Sequence, residues 1–120
     1  MLNAKVKWIE GLQFVGESGT GHAIVMDGDK EVGGYNTGMR PMELLIVGLG
    51  GCSGMDVISI LQKKRQQVTR IDINISGEKA DTYPKRFTNI NIEFIIKGKD
   101  LSEADVKKAI DLSMEKYCSV

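Results

Sequence analysis

Apolar and polar residues alternate at both ends of this chain, and the alternation breaks in the middle. Ala4, Val6 and Trp8 alternate with Lys5 and Lys7, a period of two that predicts a half-buried strand. Leu12-Gln13-Phe14-Val15-Gly16 predicts a second strand, followed by the turn Glu17-Ser18-Gly19-Thr20-Gly21. His22 to Met26 forms a third, ended by Asp27-Gly28-Asp29, a strong turn signal. Residues 27–40, with Gly28, Gly33, Gly34 and Gly38, read as a loop, and loops that long in compact domains are often functional. Pro41 suits the first turn of a helix, and an apolar run carries that helix to about Gln66. Alternation returns from Val68, with Ile71, Ile73 and Ile75 facing one way and Asp72, Asn74 and Ser76 the other. A connecting loop, Asp81–Arg86, leads to Ile90, Ile92, Phe94 and Ile96, which alternate with Asn89, Asn91 and Glu93. Ser102 caps a last helix with Glu103 and Asp105 in its first turn. Its buried stripe is predicted as Val106, Ala109/Ile110, Ser113/Met114 and Tyr117.

The order is β-β-β-α-β-β-α. Strands in consecutive pairs imply antiparallel pairing, so the fold class is α+β: an antiparallel sheet with a long buried central helix and a second helix. The central helix is apolar nearly all round and must be covered on nearly all sides. One sheet in so small a domain cannot do this, and a second subunit is the expected lid. Leu44 to Leu61 is also long enough to raise a membrane-spanning reading, with Asp56 as its only charge. Its glycines, Asp56 and the lack of flanking aromatic anchors argue against that.

At 120 residues the chain is expected to be a single domain, 1–120. Sixteen basic residues balance sixteen acidic ones, which leaves no electrostatic footprint for nucleic acid or an anionic membrane. The segment Met1–Lys7 lacks the long apolar core of a secretory signal. A cytoplasmic location is therefore expected, where two cysteines are reduced, catalytic or buried sooner than joined in a structural disulfide.

The unusual feature of the helix is its glycine content. Gly48, Gly50, Gly51 and Gly54 surround Cys52, and each interior glycine costs about 1 kcal/mol against alanine. The expected return is close approach of another backbone or a ligand to the face around the thiol. Cys52 is thus the first candidate for chemistry, although free cysteine is also among the most buried and inert residue types. Cys118 offers a resolving partner for an oxidised Cys52, or closes the last helix as a small apolar residue. Glu43 lies nine residues before Cys52, on the opposite face of a regular helix and about 13 Å away along its axis. Only a distorted helix start or a partner chain could bring it to the thiol. Asp56 is at i+4 from Cys52, and a carboxylate there raises a thiol pKa. A reactive thiolate then needs a compensating cation. Arg40 is the nearest arginine in sequence, since the first thirty-nine residues contain none; its alternative is a solvated loop position. One histidine and two cysteines cannot fill a four-ligand zinc site without carboxylates or a partner chain. No glycine-rich stretch has phosphate-loop or dinucleotide spacing. His22 reads as an ordinary strand residue, because a Cys–His pair would require it beside Cys52.

The segment Gly33-Gly34-Tyr35-Asn36-Thr37-Gly38-Met39-Arg40-Pro41-Met42-Glu43-Leu44-Leu45, running into Gly50-Gly51-Cys52-Ser53-Gly54, resembles the OsmC/Ohr family of osmotically inducible and organic hydroperoxide resistance proteins. The ending Tyr117-Cys118-Ser119-Val120 is similar to that family's second-cysteine motif. The likeness is strongest to the OsmC-like branch with Gly-Gly-Cys-x-Gly. It implies an intertwined homodimer with two sites at the interface, and thiol-dependent reduction of organic hydroperoxides. Cys52 is then the peroxidatic thiolate and Cys118 the resolving one. Glu43 and Arg40 are the acid and cation candidates this chain offers, an external dithiol is the reductant, and no metal or organic cofactor is implied. The peroxidase members hold their thiolate with an arginine from the N-terminal strands, where this chain has none. Their glutamate directly follows the proline, where this chain has Met42, with Glu43 next. Members also continue into a further strand, of which a chain ending at Val120 is short. The alternatives are a small-ligand-binding or redox-responsive dimer without efficient turnover, and a structural dimer whose thiols merely pack.

Overall fold

The structure, a computed structural model, describes residues 1–117. It divides into two compact units, Met1–Leu45 and Ile46–Val120. In the first, β1 (Ala4–Glu10), β2 (Gln13–Ser18) and β3 (Ala23–Met26) form an antiparallel meander in that order. Register pairs Trp8 with Phe14 and Phe14 with Met26. The predicted strands are present, but His22 falls just outside β3, and β1 is not half-buried. All seven of its residues are exposed, Trp8 at 61%. Alternation specifies which side chains share a face; burying that face takes a second layer, and β1 has none within its own unit.

The second unit holds most of α1 (Pro41–Lys63), then β4 (Gln67–Lys79), β5 (Phe87–Lys99) and α2 (Glu103–Leu112). Strands β4 and β5 form a long antiparallel hairpin that pairs Ile71 with Ile96 and Ile73 with Phe94. Val57 and Leu61 of α1 and Ala109 of α2 are fully buried, and Val68, Ile71, Phe94, Ile96, Val106 and Ile110 pack around them. Each large aliphatic side chain buried there contributes about 1.5–3 kcal/mol. Ser102 caps α2 by accepting the amide of Asp105 at 3.2 Å. Gln66 ties that cap to the end of α1: its Oε1 accepts the Ser102 amide at 2.9 Å and its Nε2 donates to Asp105 at 3.3 Å.

Helix α1 stops three residues before the predicted Gln66. The amide of Gln66 bonds the Leu61 carbonyl and that of Arg65 the Gln62 carbonyl, the paired closure of a Schellman cap. Arg65 occupies the left-handed position, φ 58°, where glycine is usual, so no glycine announces the stop. The last helix departs from expectation as well. After Leu112 the backbone widens into a π-turn, Ser113–Tyr117. Ser113 stays buried with Ala109, whereas Met114 is exposed. The wider turn shifts the phase of the stripe.

The mean composition of α1 is apolar enough, over its 23 residues, to cross a membrane. Its contacts give one face to its own unit: Gly50, Ser53, Val57 and Leu61 are buried. Leu45, Val47 and Met55 are exposed. Among the described residues, the unit that holds most of α1 thus covers one of the sides on which cover was expected.

Candidate functional site

Cys52 sits mid-helix as a free, half-buried thiol. The glycines around it fall into two pairs. A Cβ on Gly50 would lie 2.7 Å from Ile75 Cδ1, and one on Gly54 2.8 Å from Ile73 Cδ1. These two admit β4 against the helix, the close approach anticipated above. A Cβ on Gly48 or Gly51 would meet nothing within 4 Å. They leave the helix backbone open on a face that also carries Met55, 74% exposed. Between the pairs, the buried Ser53 donates its hydroxyl to the Leu49 carbonyl at 2.9 Å, a bond within the helix itself.

One turn beyond Cys52, Asp56 Oδ2 accepts the hydroxyl of Ser113 at 3.1 Å. The same hydroxyl lies 3.5 Å from the Ser53 carbonyl. Asp56 also borders a cleft of about 480 Å³, shared with Ser59, Ile60, Lys63, Lys64 and Leu112. Lys64 pairs with Asp105 at 3.5 Å. Cys118, the expected partner of Cys52, lies outside the described residues.

Glu43 and Arg40 meet each other at the start of α1. The Arg40 amide donates to Glu43 Oε1 at 2.8 Å, and Arg40 Nη1 donates to the Gly38 carbonyl at 3.1 Å. Arg40 precedes Pro41, so Glu43 is the third helical residue reaching back to the residue before the first turn, one half of a capping box. This is a structural occupation for both candidates. His22 is exposed, its Nδ1 3.2 Å from Thr20 Oγ1.

Sequence reasoning placed Asp27 in a turn and missed its role. It is 2% exposed, yet its carboxylate accepts four bonds. Gly28 and Tyr35 give their amides at 2.7 and 3.1 Å, and Thr37 gives amide and hydroxyl at 3.1 and 2.7 Å. Burial works to raise its pKa; the Thr37 hydroxyl and then the three amides outweigh it and hold the carboxyl at about 2, below its ordinary 3.8. Asp27 thereby closes residues 28–37 into an ordered loop, and its own amide bonds the Met39 carbonyl at 3.1 Å. The clue was Asp27 beside Gly28 at the mouth of a glycine-rich stretch, with Thr37 ten residues on. Among the described residues no three His, Cys, Asp or Glu side chains gather as a metal site requires.

Residues 34–120 match the model of the OsmC-like protein family. The chain is 48% identical over 119 residues to the protein YhfA of Escherichia coli strain K12, covering 99% of this chain and 86% of YhfA. Among solved structures, a hypothetical protein from Aquifex aeolicus VF5 superposes with a TM-score of 0.83 at 34% identity, over 99% of this chain and 83% of that one. An organic hydroperoxide resistance protein OsmC from Legionella pneumophila superposes at 0.67 and 14% identity, over 98% and 84%, a likeness that carries the fold alone.

Proposed function

The chain belongs to the OsmC-like family, and on that footing we propose that it is a thiol peroxidase that reduces organic hydroperoxides. The observation carrying this reading is a free, half-buried Cys52 on a helix whose adjoining glycines, Gly48 and Gly51, leave the backbone open. The Cys52 thiolate attacks the terminal peroxide oxygen; the O–O bond breaks and the leaving alkoxide takes a proton to become an alcohol. Cys52 is left as a sulfenic acid. Cys118 then attacks that sulfur, water departs, and the disulfide is returned to two thiols by an external dithiol. The proposal includes a cytoplasmic homodimer, each chain one OsmC-like domain, with no cofactor. Two copies cover the open face of α1, and Glu43 and Arg40 act at the thiol of the partner; Glu43, nine residues before Cys52, supports this because a regular helix puts it on the face opposite the thiol of its own chain.

A second reading, a redox-responsive or ligand-binding dimer without efficient turnover, draws on two observations. The Glu43 carboxylate is engaged as a cap, and the first thirty-nine residues offer no arginine.

The deciding experiment adds an organic hydroperoxide to the reduced protein, then weighs it and titrates its thiols. The peroxidase reading expects rapid loss of two thiols, a mass lower by two hydrogens, and no peroxide consumption by Cys52→Ser. Retention of both thiols in the wild type, or undiminished consumption by Cys52→Ser, ends it.

A further inference from the structure

Among the described residues, Asn36, Arg65 and Asp100 hold a left-handed backbone without being glycine. Two of them, Arg65 and Asp100, border one cleft of the second unit. The cleft measures about 280 Å³, lies where α1 stops and β5 ends, and is walled by Arg65, Gln66, Gln67, Lys99 and Asp100. Asparagine and aspartate tolerate that backbone region because their short polar side chains bond locally. Arginine does not: at φ 58° its Cβ crowds the following carbonyl, a cost that glycine would remove. The chain uses glycine freely, fourteen times in 120 residues. Nor does the dipole of α1 call for a cation at this point, since Lys63 already stands in its last turn. Among the described residues, the side chains of Arg65, Lys99 and Asp100 make no hydrogen bond or ion pair. A residue held at a backbone cost, with its charge unengaged in the fold, is a mark of function.

The cleft has a fixed wall and a defined charge. Gln66 is pinned at both ends of its amide, by the Ser102 amide at 2.9 Å and by Asp105 at 3.3 Å. Every residue of the wall carries a charge or an amide, so nothing in it seats an apolar body. Two cations and one carboxylate leave a single positive charge, the complement of one carboxylate group. We propose that this cleft binds a small hydrophilic carboxylate with a hydrogen-bond donor beside it, a hydroxy acid or an amino acid. The carboxylate takes paired N–H donors from the Arg65 guanidinium and the charge of Lys99. The neighbouring hydroxyl or ammonium of the ligand donates to Asp100. About three turns of α1 separate the cleft from Cys52, and the inference stands apart from any reading of the thiol.

The test titrates the whole chain with L-lactate, L-alanine and propanoate at constant ionic strength, following backbone amide shifts by NMR. Lactate or alanine is expected to shift the amides of residues 65–67 and 99–101 saturably. Propanoate, which lacks the donor, should bind about tenfold more weakly, the scale of one hydrogen bond to a charged group. Arg65→Gly, which suits the left-handed backbone, should weaken lactate or alanine binding at least about tenfold. Asp100→Gly, for the same reason a mild change, should bring the binder and propanoate to equal affinity. Lys99→Gln is a second way to remove positive charge and should also weaken binding; thermal unfolding identifies which variants are folded. The proposal is overturned if neither lactate nor alanine gives saturable shifts at those amides. Wild-type affinity in folded Arg65→Gly or Lys99→Gln also overturns it, as does propanoate binding as tightly as the other two.

Discussion

The two units of this molecule are held together by opposite means. In Ile46–Val120 the fully buried apolar side chains, among the described residues, are Val57, Leu61 and Ala109, with aliphatic and aromatic neighbours from both strands and both helices. In Met1–Leu45 the buried side chain is a carboxylate, Asp27, and the sheet beside it leaves Val6, Trp8 and Ile9 exposed. The first arrangement is additive and non-directional, spread over many contacts. The second is directional: four donors converge on one group, so its strength is concentrated in one residue and depends on charge. The contrast teaches that one chain can hold a domain-like core in one part and, in another, an ordered loop with an apolar sheet face left for something else to cover.

The largest effect expected is at the apolar core. Leu61→Ala removes a fully buried side chain and should cost about 2–5 kcal/mol in urea unfolding. Trp8→Ala, at a 61% exposed position, should cost within about 1 kcal/mol if the chain is alone. Comparable losses at the two sites would break the contrast and point to a covered β1 face.

Asp27→Ala should act locally. Amides of residues 28–37 should lose protection in hydrogen exchange while those of β4 and β5 keep theirs; equal loss in both units would refute the division. Acid should do the same to the wild type. Asp27 titrates lower in the fold than in the unfolded chain, from 3.8 to about 2. Its stabilisation is therefore complete above pH 4 and fades as pH falls from about 4 to 2. Asp27→Asn should remove that part of the acid dependence.

The glycines sharpen the comparison inside a single helix. Gly51→Ala, with nothing near the new methyl, should stabilise an isolated chain by about 0.5–1 kcal/mol. Gly50→Ala, pressed on Ile75, should come out about 1–3 kcal/mol worse than Gly51→Ala. A loss at Gly51 comparable to that at Gly50 would mean that another surface closes on the outer face, as a homodimer requires. The smallest effect is at the helix end: Arg65→Gly relieves a left-handed side chain at φ 58° and should stabilise by about 0.5–1 kcal/mol, read as a rise in the urea midpoint. Destabilisation there would assign Arg65 a contact of its own.

The order of elements, the α+β class and the position of Cys52 on the central helix were legible in the alternation and in the glycine-dotted run. So was the Ser102 cap. Boundaries were less so, because the stop of α1 uses Arg65 in place of a glycine and the π-turn at Ser113 has no residue signature. The part of the site that depends on distant residues was illegible. Asp56 was noted as a neighbour of Cys52, but Ser113, fifty-seven positions later, read as one more stripe residue. Asp27 read as punctuation, since a turn signal does not say which amides will converge on it. Glu43 and Arg40 were read as candidates at the thiol; their contact with each other follows from capping geometry over three residues.

Periodicity acts along the chain, and so the strands, the helices and the pairing of neighbours in sequence follow from the order of residues. Which faces are buried and which polar atoms meet is a matter of what comes to lie on top of what. Two glycines of one helix receive Ile73 and Ile75 of β4 while two others stay bare. One serine meets a carboxylate across two helices. Such pairings arise when distant segments share one small volume, in which each buried polar atom must find a partner and each apolar face a cover.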